Sequence, residues 1–383
     1  MIDHYLPGTR SGGPVRTISN LVEALGDVIE FKIITRDRDL GDSKPYDSAG
    51  LSRWQRLGRS SVLYLPPRDL VPWRIVNHIR ATTHDVILLN GVFPPSVLSV
   101  LWGRRFFWST VPVVVAPRGH LETGALSLKS RKKRLFLLAA RTLGIYSNVL
   151  WLCASESERQ DVIREFGTRV RPRIVVIPNF AWKAPEAKIV GRSQKIKGAL
   201  RVVFLSRVSR KKNLTLALDV LSSVAGNIQF DLYGPIEDET YWSECREMIK
   251  RLPAGVVVNH RGSVEPDKVG TVLAQYDLFI LPTLGENFGH AILEALSAGC
   301  PVLISDRTPW NDVNQHGAGW ALPLNQPEKF REVVQMLVDA DDETMSKYRQ
   351  NALNYAADYL AKSTAVDDMR KFLLEVAASG RQS

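Results

Sequence analysis

Two short segments in the second half of the chain place charged side chains where a predicted strand gives way to a helix. In the first, the apolar run Val202–Ser206 leads directly into Arg207–Asn213, which contains four cations, and a helix is predicted from Leu214. Exposed backbone N–H groups at a helix N-terminus favour anions, and arginine and lysine add charge-assisted hydrogen bonds. The turn therefore predicts a phosphate site, with a solvated basic loop as the alternative.

The second segment, Leu281–Gly299, carries two glutamates in a strand-turn-helix pattern. Its strand is predicted to end at Pro282, a glycine-containing turn follows, and Ala291–Ala298 is predicted to be helical. Glu286 therefore falls in the turn and Glu294 inside the helix. Because this spacing excludes a shared helix face, we do not expect a glycosidase-like pair of carboxylates that acts across one bond.

The turn around Glu286 has the chemistry of a site for hydroxyls and anions. A carboxylate accepts hydrogen bonds from hydroxyl groups, and free N–H groups from Asn287 to Gly289 hold anionic or hydroxyl oxygens. The alternative interpretation is a capping glutamate followed by a surface glutamate. A glycine-flanked glutamate at the end of a strand favours the functional interpretation.

A third motif lies in the first half of the chain, where the run Val113–Ala116 is followed by Pro-Arg-Gly-His. Arg118 has the planar fork of donors that holds a phosphate in a bidentate manner. His120 is either an acceptor-side polar group or a histidine at a helix end with no chemistry.

A basic segment shortly after this motif precedes the apolar run Leu135–Ala140. At helical periodicity, cations beside an apolar flank are typical of a helix that lies on an anionic lipid surface. The alternative is a solvated helix whose apolar side packs in the core. The cations expected on the membrane or acceptor side are Lys129, Arg131, Lys132, Lys133 and Arg134.

The charge of the chain is concentrated in its first half. Residues 1–180 contain 26 Lys and Arg against 15 Asp and Glu, whereas the remaining residues contain 24 against 25. Any anionic surface is therefore expected to meet the first half. Nucleic acid is not expected as a partner, because no sequence signature of a nucleic-acid-binding module accompanies the charge.

Short apolar, β-branched runs alternate with helical patterns along the whole chain, which predicts doubly wound α/β architecture with parallel sheets. With 383 residues, two domains are expected. The predicted organisation is a domain at 1–180, a linker at 181–198, a second domain at 199–345 and C-terminal helices at 346–383. Ligands in such sheets bind beyond the carboxyl ends of the strands, where all three motifs are predicted to lie.

In their order along the chain, the motifs resemble those of the family-four retaining glycosyltransferases, which have the GT-B fold. Arg207 and Lys212 match the family's Arg/Lys pair, and the stretch from Glu286 to Glu294 matches its Glu-x7-Glu signature. The resemblance extends over nearly the whole chain and is most specific in the second half. Its further matches are Gly12-Gly13, Pro117–Gly119, Ile177–Asn179 and Gly299–Val302.

The resemblance implies two Rossmann-like domains that face a cleft, with a UDP- or GDP-linked sugar bound by the C-terminal domain. It also implies that the C-terminal helices at 346–383 cross back to the N-terminal domain. Arg207 and Lys212 would clamp the diphosphate, and Glu294 would accept hydrogen bonds from the ribose. The other expected donor-binding residues are Glu286, Asn287, Phe288 and Gly289 at the sugar, Gly234 near the base and Gly13 at the phosphate or the sugar. The expected catalytic residues are Glu286, Arg207, Lys212 and Arg118.

The family likeness also implies retention of configuration at the anomeric carbon, without a metal ion or another cofactor. The expected acceptor is a glycan or a lipid-linked glycan in bacterial surface polysaccharide synthesis. In many relatives a histidine occupies the position of Arg118, so the roles of Arg118 and His120 stay open. The alternatives are a sugar-nucleotide epimerase of the same fold and a non-catalytic scaffold of a polysaccharide-assembly complex.

The remaining features concern the cellular compartment and the chain start. The spacing of Cys153, Cys245 and Cys300 is not that of a metal site or a disulfide framework. No apolar run is long enough to span a membrane. We therefore expect a cytoplasmic protein, either free or peripheral on the inner face of the plasma membrane. Only Met1–Leu6 precede the first glycine loop, so the first strand is expected to be short or to begin before Met1.

Overall fold

A computed structural model describes residues 1–8, 10–47, 52–107, 111–122, 126, 130–180 and 194–381. The chain divides into two compact units, which are described separately below. Unit 1 comprises Met1–Trp182 together with Thr364–Ser383, and unit 2 comprises Lys183–Ser363.

One sheet of unit 1 has three strands in the order β1-β3-β2. These are β1 Phe31–Arg36, β2 Trp54–Leu57 and β3 Ser60–Leu65. β1 and β3 run parallel, but β2 and β3 form an antiparallel hairpin. The expectation of parallel sheets is wrong for this hairpin, because Gly58 takes a φ of 55° that permits a tight turn.

The other sheet of unit 1 has four parallel strands in the order β4-β5-β6-β7. These are β4 Ile87–Asn90, β5 Val113–Ala116, β6 Leu150–Cys153 and β7 Ile174–Val176. Every residue of β5 is buried, as a central strand covered on both faces requires. The helices of this part of the chain are α1 Gly13–Leu25, α2 Pro72–Arg80, α3 Pro95–Phe107, α4 Ser130–Thr142 and α5 Glu156–Phe166.

The first residues of the chain connect the two sheets of unit 1. The N–H of Ile2 donates to the carbonyl of Ile34 in β1 at 3.2 Å, and the carbonyl of Met1 accepts from the N–H of Asn90 in β4 at 3.2 Å. Residues 1–3 therefore bond to a strand of each sheet and place the two sheets side by side.

Unit 2 contains a six-stranded sheet in the order β10-β9-β8-β11-β12-β13. All of its neighbouring strands are parallel. The strands are β8 Ala199–Leu205, β9 Asn227–Tyr233, β10 Val256–Gly262, β11 Leu278–Leu281, β12 Val302–Ser305 and β13 Gly319–Leu322. The helices are α6 Leu214–Ser222, α7 Glu239–Ile249, α8 Val269–Leu273, α9 His290–Ser297, α10 Pro327–Asp339 and α11 Asp342–Lys362.

The strand order of unit 2 defines where its ligand site should lie. From β8 the chain builds outward through β9 and β10, and it then crosses back to β11 on the other side of β8. The carboxyl ends of β8 and β11 therefore flank a topological switch point, the position at which open α/β sheets leave room for ligands. The predicted α/β class is confirmed, and both charged motifs of the second half follow these two strands.

The C-terminal helices predicted at 346–383 are divided between the two units. α11 belongs to unit 2, whereas the final helix, α12 (Ala365–Arg381), belongs to unit 1. Met369 and Phe372 of α12 pack in the same core as Ile18 and Leu21 of α1. The division falls at Ser363 and Thr364, where the helical pattern is interrupted.

Part of the predicted linker belongs to the core of unit 2. Residues 181–193 lie outside the described residues, but Lys195 is 6% exposed. Its Nζ donates to the carbonyl oxygens of Ile196, Val338 and Ala340 at 3.0–3.2 Å. A lysine that satisfies the free carbonyls after the last turn of α10 is a helix cap, which composition alone does not distinguish from a solvated linker residue.

Asp277, immediately before β11, is the buried centre of an ion network at the amino end of the unit 2 sheet. Its carboxylate accepts hydrogen bonds from Nη2 of Arg201 at 2.8 Å and Nη2 of Arg349 at 2.6 Å. Burial opposes ionisation, but the hydrogen bonds and charge of Arg201, aided by the charge of Arg349, prevail and lower the pKa of Asp277. The network therefore fixes β8, β11 and α11 at one point.

Asp277→Asn is expected to destabilise unit 2 by about 3–5 kcal/mol, because two partly buried guanidinium groups lose the buried anion that they share. Urea unfolding of the full chain measures this change. Asp219→Asn is the control, since its carboxylate pairs with Arg331 at 2.8 Å but is 46% exposed. Its cost should stay below about 1 kcal/mol, and equal costs for the two variants would contradict a structural role of the network.

Asp277→Asn should also alter the pH dependence of the free energy of unfolding. Because folding lowers the pKa of Asp277, its stabilisation is complete above the unfolded value of about 3.9 and is lost as pH falls through the folded value. The difference in unfolding free energy between the wild type and Asp277→Asn should therefore narrow at acidic pH. A difference that stays constant down to about pH 2 would exclude this linkage.

Candidate functional site

The loops after β8 and β11 are joined by direct hydrogen bonds. The carbonyl of Lys211, in the loop after β8, accepts from the N–H of Leu284 at 2.8 Å and from the hydroxyl of Thr283 at 3.1 Å. The loop after β12 joins them, since Ser305 Oγ donates to the carbonyl of Thr283 at 2.6 Å and the N–H of Glu286 donates to the carbonyl of Arg307 at 3.0 Å. These contacts fix the position of Glu286 relative to the basic turn.

Lys212 and Glu286 form an ion pair between the two loops. Each side chain is only 12% exposed, so solvent screens the pair far less than it screens a surface pair. Burial favours the neutral form of Glu286, but the charges of Lys212 and Lys211 prevail and lower the pKa of the carboxyl. The site therefore holds an ionised carboxylate and a cation in contact, both within a largely desolvated turn.

The two arginines of the basic turn, Arg207 and Arg210, occupy different environments. Arg207 Nη1 donates to Glu237 Oε1 at 2.6 Å and the side chain is 29% exposed. Arg210 is more exposed, bonds to Glu244 and stacks over the ring of Tyr241 at 5.2 Å. Arg207 is therefore the less exposed of the two, and Arg210 serves as a matched residue of the same turn.

The glycine-containing turn supplies backbone donors at the start of α9. Gly289 has a φ of 78°, which glycine adopts without strain. The N–H groups of Phe288 and Gly289 donate to no acceptor among the described residues. Because α9 begins at His290, these N–H groups lie where the helix dipole favours a negative or hydroxyl oxygen. Glu294 follows in the helix, half-buried.

The side chain of Phe288 belongs to the core and not to the site surface. Its ring is 4% exposed and packs edge-on against Trp310, with 5.5 Å between the ring centroids. The indole N–H of Trp310 donates to the carbonyl of Phe288. Trp310, 2% exposed, is therefore a core residue that holds the turn, and only the backbone of Phe288 is available for a ligand.

Gly234 lies at the carboxyl end of β9, where two chain segments approach closely. Its φ is 134°, and a Cβ at this position would lie 2.1 Å from the carbonyl oxygen of Ser206. Its N–H donates to the carbonyl of Gly262 at 2.8 Å. The residue allows the loops after β8, β9 and β10 to pack together, which any side chain would prevent.

In unit 1, Arg118 lies just beyond the carboxyl end of β5. It has a φ of 56°, in the left-handed region that few non-glycine residues adopt. Its Nε donates to Asn90 Oδ1 at 3.0 Å, and its Nη1 donates to Asn179 Oδ1 at 2.8 Å. Burial lowers the pKa of Arg118 to about 10, against the opposing attraction of Glu158. Asn90 and Glu158 were not identified from the sequence, and Asn179 was noted only within a family match.

His120 and Gly13 have distinct settings in unit 1. The Nδ1 of His120 accepts from the N–H of Val92 at 3.1 Å, and its ring stacks on Phe93 with 5.9 Å between centroids. These contacts orient the loop after β4. Gly13 is exposed at the first position of α1, and an added Cβ would meet no atom within 4 Å.

α4 exposes both charge and apolar surface. Arg131, Lys132 and Arg134 are exposed, Lys133 lies over the ring of Phe93 at 5.4 Å, and Lys129 lies outside the described residues. The apolar run is divided. Leu137 and Ala140 pack in the core, whereas Leu135 and Leu138 are 69% and 60% exposed.

The described residues contain no group of three or more His, Cys, Asp and Glu side chains placed to hold a metal ion. No helix in the described part of the chain is both long and apolar enough to cross a membrane.

Two family models of glycosyltransferases match the chain in succession. The model described as glycosyl transferase 4-like domain matches residues 12–179, and the model described as glycosyl transferases group 1 matches residues 186–355. The boundary between the matches falls beside the division between the two units.

The chain is also similar to individual glycosyltransferases. It is 23% identical over 281 residues to the GDP-mannose-dependent α-(1-6)-phosphatidylinositol dimannoside mannosyltransferase of Mycobacterium tuberculosis, covering 73% of this chain and 71% of that protein. Its fold resembles Anabaena HepE in complex with UDP and glucose, with a TM-score of 0.67, 16% identity and coverage of 98% and 100%. It also resembles WaaG, a glycosyltransferase involved in lipopolysaccharide biosynthesis, with a TM-score of 0.65, 14% identity and coverage of 96% and 98%. These likenesses confirm the GT-B fold.

A double-mutant cycle on Lys212→Met and Glu286→Gln tests the buried pair in the ligand-free protein. Each single variant leaves one buried charge without its partner, whereas the double variant removes both charges. Urea unfolding should therefore give a coupling free energy of about 1–3 kcal/mol. The control cycle on Lys347→Met and Glu343→Gln, a pair whose side chains are 71% and 79% exposed, should give about 0.3–0.5 kcal/mol. Additive effects of the Lys212 and Glu286 substitutions would contradict the coupling.

Proposed function

Because the chain is a glycosyltransferase of the GT-B fold, we propose that it is a retaining enzyme that uses a UDP- or GDP-linked sugar. The acceptor is a glycan or a lipid-linked glycan of bacterial surface polysaccharide synthesis. The observation that carries this proposal is the buried pair of Lys212 and Glu286 beside the N–H groups of Phe288 and Gly289.

The chemistry of a nucleoside-diphosphate sugar fits this arrangement. Its diphosphate is an anion that Lys212 and Arg207 attract, and its sugar carries hydroxyl groups that donate to a carboxylate such as Glu286. Binding of the donor exchanges the partners of Lys212 and Glu286 without leaving either charge unpaired. The N–H groups at the start of α9 complete the binding of the sugar, and Glu294 is assigned to the ribose.

The transfer step needs charge stabilisation on the leaving diphosphate. The bond between the anomeric carbon and the phosphate oxygen breaks, and the acceptor hydroxyl forms the new glycosidic bond on the same face. The hydroxyl proton passes to the leaving phosphate oxygen. Preorganised cations in a desolvated site stabilise the charge that develops there, so Lys212 and Arg207 perform the role that a metal ion has in other transferases. We propose that the reaction is independent of metal ions.

The names of the relatives support the donor and acceptor classes. The mycobacterial relative is dependent on GDP-mannose and acts on a phosphatidylinositol glycoside, HepE is in complex with UDP and glucose, and WaaG is involved in lipopolysaccharide biosynthesis. A lipid-linked acceptor also fits α4, whose exposed Leu135 and Leu138 lie on the same helix as exposed Arg131 and Arg134. We propose that α4 rests on an anionic membrane surface.

Arg207→Ala, Lys212→Ala and Glu286→Ala should each lower the rate of sugar transfer by about 100-fold or more, because each removes a group that stabilises the transition state. The donor for the assay is the UDP-, GDP- or ADP-linked sugar that raises the melting temperature most, since a ligand that binds only the folded state stabilises it. Transfer is measured by the release of the nucleoside diphosphate, and NMR of the product gives its anomeric configuration.

The control is Arg210→Ala, in the same turn, which should keep transfer near the wild-type rate because Arg210 is 47% exposed, so solvent screens its charge more than that of Arg207. Transfer should also persist in EDTA. An active Arg207→Ala, Lys212→Ala double variant would refute the assignment of these two cations to the leaving diphosphate. An epimerised nucleotide sugar as the product would support the alternative of a sugar-nucleotide epimerase. Intact cellular function with Glu286→Ala would support the alternative of a non-catalytic scaffold in a polysaccharide-assembly complex.

Binding to a membrane is tested by sedimentation with vesicles of phosphatidylglycerol and of phosphatidylcholine. The protein should bind the anionic vesicles in a salt-sensitive manner. Because each cation near such a surface contributes about 1 kcal/mol, Arg131→Gln with Arg134→Gln should lower partitioning roughly 30-fold. The charge-matched control is Lys347→Gln with Lys362→Gln, at exposed positions of α11. Equal binding to both types of vesicle, or equal losses in the two double variants, would refute a specific role of α4.

A further inference from the structure

We propose that Arg118 binds an anionic group, a phosphate or a carboxylate, that is carried by the acceptor, so that the enzyme selects acidic acceptors. This inference rests on the proposed function, because it assigns a substrate class to unit 1 of a glycosyltransferase. The geometry around Arg118 carries it, as the following contacts explain.

The guanidinium of Arg118 is held by neutral oxygens. Nε and Nη1 donate to the carboxamide oxygens of Asn90 and Asn179. These two residues are 7% and 8% exposed, so the oxygens belong to buried side chains and not to mobile surface side chains. The contacts fix the plane of the guanidinium but leave its charge uncompensated.

The carboxylate of Glu158 attracts Arg118 but does not pair with it. Glu158 is 1% exposed, and its two carboxylate oxygens accept from the N–H groups of Gly119 at 2.7 Å and Ala154 at 2.8 Å. It attracts Arg118 at a distance, but Arg118 forms no ion pair with any carboxylate among the described residues. Glu158 therefore holds the turn that carries Arg118, and the guanidinium keeps the capacity to pair with an anion.

One donor nitrogen of Arg118 remains for a ligand. Nη2 donates to no described residue, whereas Nε and Nη1 are occupied, and the side chain as a whole is partly exposed. A guanidinium nitrogen without a protein partner, on a side chain held in place by its other donors, binds an oxyanion with little loss of side-chain entropy. A bound phosphate or carboxylate also offsets the cost of keeping this cation in a partly desolvated site.

The position of Arg118 in the fold is that of a ligand-binding residue. Asn90 ends β4, Arg118 follows β5, and Asn179 follows β7, so all three lie at the carboxyl edge of one parallel sheet. This edge is where open α/β sheets bind ligands. The left-handed backbone of Arg118, with a φ of 56°, is a local strain that such functional edges often retain.

A purely structural role would make a different prediction for Asn179→Asp. The aspartate keeps the hydrogen bond to Nη1 of Arg118 and adds a carboxylate. A structural role therefore predicts that Asn179→Asp leaves the stability of the folded protein unchanged or raises it. Anion binding predicts a loss of affinity, because the new carboxylate neutralises Arg118 inside the pocket. Asn179 makes no other hydrogen bond to a described residue, so the substitution disturbs no second contact.

The experiment uses the full chain and three probes of similar size: glucose 6-phosphate, glucuronic acid and glucose. Isothermal titration is performed in the Arg207→Ala, Lys212→Ala background, so that the cations of unit 2 do not bind the probes. The acidic sugars should bind about tenfold or more tightly than glucose, as expected for charge-assisted hydrogen bonds. Arg118→Gln should abolish this preference. Asn179→Asp should reduce it at an unchanged or raised melting temperature.

The same titrations in the wild-type protein, where saturating UDP occupies Arg207 and Lys212, identify the source of the anion. Binding of the acidic sugars that survives saturating UDP supports an acceptor group, whereas displacement by UDP would assign Arg118 to the donor phosphate and overturn the proposal. An equal affinity for the three sugars, or an acidic preference unchanged in both variants, would also overturn it. These results are independent of the transfer assay, so failure of this inference is distinguishable from failure of the proposed function.

Discussion

The ion pair between Lys212 and Glu286 is the interaction on which the account of this protein depends. It joins the loops that follow two adjacent parallel strands, and each side chain is 12% exposed. Neither charge could remain in that environment without a partner or a ligand. The pair is therefore a structural contact of the ligand-free protein, and we propose that it is also a preformed site in which a diphosphate and a sugar hydroxyl replace the protein partners.

The rest of unit 2 positions this pair from the opposite end of the sheet. Asp277 fixes the amino ends of β8 and β11 through Arg201 and Arg349, while the carbonyl of Lys211 and the hydroxyl of Thr283 join their carboxyl ends. With both ends fixed, the loops have little freedom to move Lys212 relative to Glu286. In unit 1, a charged side chain is likewise held at the carboxyl edge of a parallel sheet, because the carboxamides of Asn90 and Asn179 fix Arg118.

The sequence predicted the α/β class, most of the strands and the segments that form the candidate site, because apolar runs and glycine-flanked charges are local signals. Contacts between distant residues could not be predicted. The bonds of Arg118 to Asn90 and Asn179 join positions 28 and 61 residues away, and Lys195 caps carbonyls more than 140 residues later. The core role of the Phe288 side chain could not be predicted for the same reason, because an aromatic residue near a site turn is a ligand platform or a core residue according to what packs on it.

The most direct test of the central claim is a crystal structure of the full chain with a UDP- or GDP-linked 2-fluoro sugar, which is bound but transferred slowly. The account predicts that the diphosphate contacts Lys212 and Arg207, and that a sugar hydroxyl donates to Glu286 in place of Lys212. A donor bound elsewhere, with the contact between Lys212 and Glu286 unchanged, would contradict it.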